Sequence, residues 1–154
     1  MKKHIIICIL GLMSGLMTQA QEGNHVNAGV GLNGLGIPLY GSFDWAFKGD
    51  FNLGVGGSIT LNADGSNGGS SSSEVALGAG FFTQWYADRL LELPGDFDAY
   101  AGGGVFLYTG PGDDVDLSIF IGGRYYFNSN MAFNLELGGG SALAGGKAGI
   151  SWRI

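Results

Sequence analysis

Cysteine, proline and charge are all scarce in this chain. Its one cysteine, Cys8, lies within the first ten residues, prolines number 3, and charged residues make up 13% of the 154. A second cysteine is missing, so no disulfide can staple the fold, and packing or a bilayer must hold it. Basic residues are few: 7 Lys and Arg stand against 13 Asp and Glu, a balance that makes a poor nucleic-acid binder. Low charge beside 10 Phe, 6 Tyr and 3 Trp also excludes a disordered chain. Glycine is abundant, 31 residues against a usual share of ~7%. These glycines do not recur at every third position, which excludes collagen. A long helical bundle is disfavoured too, because glycine costs about 1 kcal/mol relative to alanine inside a helix. One compact, strand-rich domain remains.

The first twenty residues read as targeting. Lys2 and Lys3 precede an apolar run from Ile5 to Leu12, and Thr18-Gln19-Ala20 offers small residues where a signal peptidase cuts. The run is too short for a spanning helix, which needs ~20 apolar residues. Cys8 follows Ile7 inside the run and is not placed as a lipid-attachment cysteine. The expected organisation is a cleaved signal peptide over 1–20 and one barrel domain over 21–154. His25 is then the only histidine left.

After Ala20 no helical period persists, and alternation with period two appears eight times. One face carries Val26, Ala28, Val30 and Leu32, then Leu39, Phe43 and Trp45, then Leu53, Val55 and Ile59, then Leu77, Phe81 and Trp85. The same face continues with Val105 and Leu107, with Ile119 and Ile121, with Phe133 and Leu135, and with Ile150 and Trp152. The opposite face carries Gly, Asn, Ser and every strand-interior charge. Strand five is the hardest to phase, and the reading that turns Tyr100 and Phe106 inward is adopted. Strands of about 11 residues suit tilted membrane strands. Lys48–Asp50 and Asn128–Asn130 read as tight turns, whereas Asn62–Ser73 and Gly110–Val115 are longer and polar. The segment Asp88–Phe97, with Leu90, Leu91 and Leu93 before Pro94, predicts a helical turn on the short-turn side. Short turns at one end and longer loops at the other is the pattern of outer-membrane barrels.

Trp45, Phe47, Phe51, Trp85, Tyr86, Tyr125, Phe127 and Trp152 fall at strand ends on the short-turn side, where an interfacial aromatic girdle belongs, although Tyr86, like Tyr126, has the inward phase. A soluble barrel has its apolar face inside. A small closed interior cannot hold this many large apolar side chains, so lipid is expected on that face. The fold class is therefore all-β: an eight-stranded antiparallel up-and-down transmembrane β-barrel.

The run Gly122-Gly123-Arg124-Tyr125-Tyr126-Phe127, the turn Asn128-Ser129-Asn130 and Ala132-Phe133-Asn134-Leu135-Glu136-Leu137-Gly138 resemble the last hairpin of small porin-family outer-membrane barrels of the OmpA/OmpX type. Lys147 to Ile154 is similar to their terminal strand, with Ile154 where such chains end in an aromatic residue. The resemblance implies a Gram-negative outer membrane and insertion by the barrel-assembly machinery.

The remaining motifs carry little chemistry. Gly29-Val30-Gly31-Leu32-Asn33-Gly34 fits a dinucleotide fingerprint in letters, but Pro38 and a second alternating run follow where a helix must open. Asn62, Asp64 and Ser66 are spaced like a calcium loop that lacks its closing glutamate, and Asp113, Asp114 and Asp116 read as a solvated outer loop. His25 has no Ser and acid partner set in the sequence, and Asp44 and Glu136 have no open cleft for paired acid–base work. Asp44, Arg124, Glu136 and Arg153 share the inward phase and predict a structural charge network, two acids balancing two arginines. Register about the 128–130 turn makes Arg124 and Glu136 its expected closest pair. The expected role is a surface scaffold with a side-chain-filled lumen, with no enzymatic activity, cofactor or metal, and with a single chain as the unit. Its expected partners are outer-membrane lipids and lipopolysaccharide. Three alternatives stay open: a narrow channel or transporter for small or hydrophobic solutes, a lipid-modifying enzyme, and an adhesin.

Overall fold

The computed structural model describes residues 23–32, 36–63, 74–109, 114–139 and 145–154. The expected leader over 1–20 lies outside the described residues, as do Asp64, Ser66, Asp113 and the bulk of the two long loops.

Eight strands follow one another in chain order: β1 (His25–Leu32), β2 (Pro38–Lys48), β3 (Phe51–Ala63), β4 (Glu74–Tyr86), β5 (Phe97–Thr109), β6 (Asp114–Tyr126), β7 (Met131–Gly139) and β8 (Gly146–Arg153). Each pairs antiparallel with its neighbours, and β1 pairs with β8, so the sheet closes into an up-and-down barrel. Along the closing seam His25 stands opposite Arg153 and Leu32 opposite Gly146. Pro38 opens β2, the strand position where a missing N–H is tolerated.

Turn chemistry fixes the short end. Gly49 takes φ 58°, a left-handed conformation that glycine adopts without steric cost, and the β2–β3 register slips by one residue beside it. The Asn128 side chain accepts from the backbone N–H of Asn130 at 2.9 Å and of Met131 at 2.8 Å, turning the chain from β6 into β7. The expected helical turn is α1 (Asp88–Leu91), closed by Glu92 at φ 51°. Asp88 caps the start of β5 by accepting from the Ala99 N–H, and Arg89 pairs with Asp50 across the rim.

The two faces separate as the alternation predicts. Val30, Leu39, Phe81, Leu117, Ile119 and Leu135 are exposed on the outer wall, whereas Tyr40, Tyr86, Tyr100, Phe106, Phe120 and Tyr126 are buried inside. Strand five has the expected phase, with Phe106 buried between exposed Val105 and Leu107. Tyr86 ends its strand beside Trp85 and, as its parity with Gln84 predicts, points into the lumen, where it is 2% exposed. One assignment is corrected. Asp116 belongs to β6, not to an outer loop, and is buried opposite Phe106.

Candidate functional site

The lumen holds two polar layers. The lower one lies at the end where the short turns and both described termini meet. Its centre is Asp44 on β2, which is fully buried. Asp44 Oδ1 accepts from Arg124 at 3.1 Å and from Asn27 Nδ2 at 2.9 Å. Its Oδ2 accepts from His25 Nδ1 at 3.0 Å and from Asn52 Nδ2 at 2.9 Å. Arg124 also donates to the Tyr86 hydroxyl and, through Nε, to Ser151 Oγ at 3.2 Å. Its guanidinium carbon lies 4.8 Å from the centre of the Tyr100 ring. His25 Nε2 meets the Tyr126 hydroxyl at 2.9 Å, and that hydroxyl donates to Asp98 at 2.7 Å. Arg153 closes the layer toward the mouth, 3.7 Å from Asp98 and stacked 4.0 Å from the Tyr126 ring centre.

The second layer begins one step up the barrel. Glu136 on β7 pairs with Lys147 on β8 at 2.6 Å and accepts from the Tyr100 hydroxyl at 3.0 Å. The Lys147 ammonium sits over Tyr40 and Phe120, 5.2 and 5.4 Å from their ring centres. Phe82 and Phe106 pack beside them. A cavity of about 10 Å³ remains among Tyr40, Phe82, Phe106, Phe120, Glu136 and Lys147, room for a single water.

The expected network of Asp44, Arg124, Glu136 and Arg153 is thus regrouped. Arg124 pairs with Asp44, Glu136 with Lys147, and Arg153 with Asp98. The register placed Arg124 opposite Asn134 and Glu136 opposite Gly122, and both pairings are observed. Arg124 and Glu136 nevertheless part company, because Gly122 has no Cβ and the Tyr100 ring fills that space between them. A Cβ at position 122 would lie 2.6 Å from that ring and 2.7 Å from the Glu136 stem. Asp98 and Lys147 were missed although parity with Tyr100 and with Gly149 points both inward. His25, read as an isolated residue at the lumen end, is instead bonded through both ring nitrogens.

The outer set Trp45, Phe47, Trp85, Tyr125, Phe127 and Trp152 does lie on outward positions at the turn end. Phe127 and Phe133 pack there with ring centres 4.8 Å apart, and Phe97 and Tyr125 at 4.9 Å.

Chemically, the lower layer orients and neutralises. Both His25 ring nitrogens are engaged inside the lumen, Nδ1 by Asp44 and Nε2 by the Tyr126 hydroxyl. Among the described residues no group of three or more His, Cys, Asp or Glu is arranged to hold a metal ion. No family model matches the chain, and no curated protein is similar to it in sequence.

Proposed function

We propose that the chain is an integral outer-membrane barrel of the OmpA/OmpX type, acting as a structural scaffold at the cell surface with a plugged lumen and no catalytic activity. The observation that carries this reading is the inversion of polarity across the wall. Ile119, Leu117 and Phe81 are 77, 74 and 72% exposed on the outside, while Asp44, Asn52 and Arg124 are buried on the inside. Left in water, such a wall forgoes about 1.5–3 kcal/mol for each Leu, Ile or Phe that lipid would cover. Lipid chains, with lipopolysaccharide in the outer leaflet, are the surroundings this wall suits. In this reading a leader over 1–20 directs export, the barrel-assembly machinery inserts the chain, and one chain forms the unit.

Two measurements test it. The barrel refolded in detergent should migrate differently on a gel before and after boiling. Equal migration together with solubility in detergent-free buffer overturns the membrane reading. In a planar bilayer the filled lumen should give no discrete single-channel steps. Regular steps would replace the plug with the narrow-channel alternative.

A further inference from the structure

We propose that the rim at the short-turn end holds one zwitterionic glycerophospholipid with a primary ammonium head group, its head in a pocket beside α1 and one acyl chain in a groove along β6. The inference rests on the membrane reading above and deepens it by naming the lipid class. Two adjoining hollows carry it. The first, of about 350 Å³, opens at the rim between the α1–β5 connection and the end of β8, lined by Asp88, Leu93, Pro94, Phe97, Asp98 and Arg153. The second, of about 430 Å³, lies on the outer wall over β5, β6 and β7. Phe97 and Asp98 line both, so the polar pocket continues into an apolar groove.

The pocket lacks partners of both signs. Asp88 accepts from the Ala99 N–H through Oδ1, but its Oδ2 has no partner among the described residues. Burial raises its pKa above the ordinary carboxylate value, as expected of an acid without a counter-ion. Arg153 offers the complement. Its Nε has no acceptor, and its guanidinium is one third exposed and stands 3.7 Å from Asp98, outside hydrogen-bond distance. Asp98 itself is held by the Tyr126 hydroxyl at 2.7 Å. The ligand that suits this arrangement donates to a carboxylate and accepts from a guanidinium. Ammonium and phosphate joined by a two-carbon link, the ethanolamine phosphate head, do both. A choline head has no N–H to give Asp88, and a glycerol head brings no cation.

The groove is a gap in an otherwise bulky stretch of wall. At the rim Tyr125 stands between Phe97 and Phe133, and four residues up β6 Ile121 stands opposite Leu137. Between these rows Gly123 faces Ala99 and Leu135, so the middle row has no bulk over β5 and β6. A Cβ on Gly123 would meet only the Asp98 carbonyl, at 3.2 Å, which leaves the gap empty of protein. From Tyr125 to Ile121 it climbs the wall for about 13 Å at 3.3 Å per residue, a length that suits the upper part of one acyl chain. A second copy of the chain is a poor occupant, because the gap is one row deep and a stable dimer needs ~800 Å² from each partner.

The test is native mass spectrometry of the full chain refolded in detergent and titrated with phosphatidylethanolamine, phosphatidylcholine and phosphatidylglycerol of identical chains. One ethanolamine lipid per barrel should be retained about 5-fold better than either of the others, the size of one partly exposed ion pair. Equal retention overturns the proposal. Asp88→Asn keeps an acceptor for the Ala99 N–H and removes the charge, so the preference among head groups should vanish. A preference that survives this change puts the head group elsewhere and overturns the site. Gly123→Leu fills the groove from the lipid side and should lower retention of all three lipids alike. Undiminished retention, or a lipid-free dimer of the unmodified chain in the same spectra, takes the acyl chain out of the groove and overturns the proposal. A barrel that dissolves without detergent and takes up no lipid loses the membrane reading too, whereas a detergent-requiring barrel that retains the three lipids equally loses this inference alone. Where a variant does not fold, the comparison of lipids on the unmodified chain decides.

Discussion

Replacing Arg124 with methionine removes the guanidinium that the lower lumen is built around and keeps most of the side-chain volume. The side chains of Arg124 and Asp44 are both fully buried, so neither can turn to water when its partner goes. Asp44 Oδ1 would keep only Asn27, and the Tyr86 hydroxyl and Ser151 would lose their donor. Breaking a buried pair by removing one partner costs about 3–5 kcal/mol. At 1.36 kcal/mol per decade that is roughly a hundred- to several-thousand-fold in the folding equilibrium. Asp44→Asn, which strands Arg124 instead, should fall in the same range. The double variant leaves no unpaired charge, and its loss should be smaller than the two single losses together by at least ~1 kcal/mol. The assay is a urea titration of the refolded barrel followed by tryptophan fluorescence, with equal slopes required of all variants. Single losses under ~1 kcal/mol, the size measured for exposed pairs, would refute the claim that this pair is dry. Simple additivity would refute the claim that it is a pair. The same cycle on Arg124 and Glu136 should show a smaller coupling, since Tyr100 stands between them.

Glu136→Gln should cost less than Asp44→Asn in the same titration, because Lys147 is 14% exposed and can reach water once released; equal costs would mean that the upper layer is as dry as the lower. Gly102→Ala should destabilise the barrel by ~1–3 kcal/mol, since a Cβ there would lie 2.4 Å from the Thr83 carbonyl and 2.5 Å from Phe120. Gly139→Ala, with nothing within 4 Å, should change the midpoint by less than ~0.5 kcal/mol, and a reversed order would put the lumen wall elsewhere. For orientation, a cysteine at Ser70 should be labelled by an impermeant reagent on intact cells and one at Ser129 should not, the opposite result inverting the barrel.

Parity made the fold legible. A residue's place in an alternating run fixes which side of the wall it occupies, and from Val26 to Trp152 the outward and inward sets are those that alternation gives. The reading falls short at the ends of the runs. Asp98 and Lys147 went unused because each lies at the margin of its run. The pairing of Arg124 failed for a different reason. Hairpin register states which backbone positions are opposed, and those opposites were right, but a long side chain crosses the lumen. Its partner Asp44 is 80 residues away in the chain, on a strand four places round the barrel. That contact depends on closure and diameter, which no single hairpin encodes.

Closure itself acquires a different meaning from where the lower layer sits. Ser151 on the last strand donates to Asn27 on the first, Arg124 reaches both, and His25 on the first strand joins Asp44 to Tyr126 across the interior. The His25–Asp44 bond spans the paired strands β1 and β2, whereas the Ser151, Arg124 and Tyr126 bonds join strands that only the closed wall brings together. The eighth strand supplies Ser151 to Arg124 and Asn27, and Arg153 to Asp98, so a wall of seven strands lacks those contacts of the lower layer. The polar layer thus ties part of the lumen's bonding to the last residues of the chain, as well as to the hairpins that precede them.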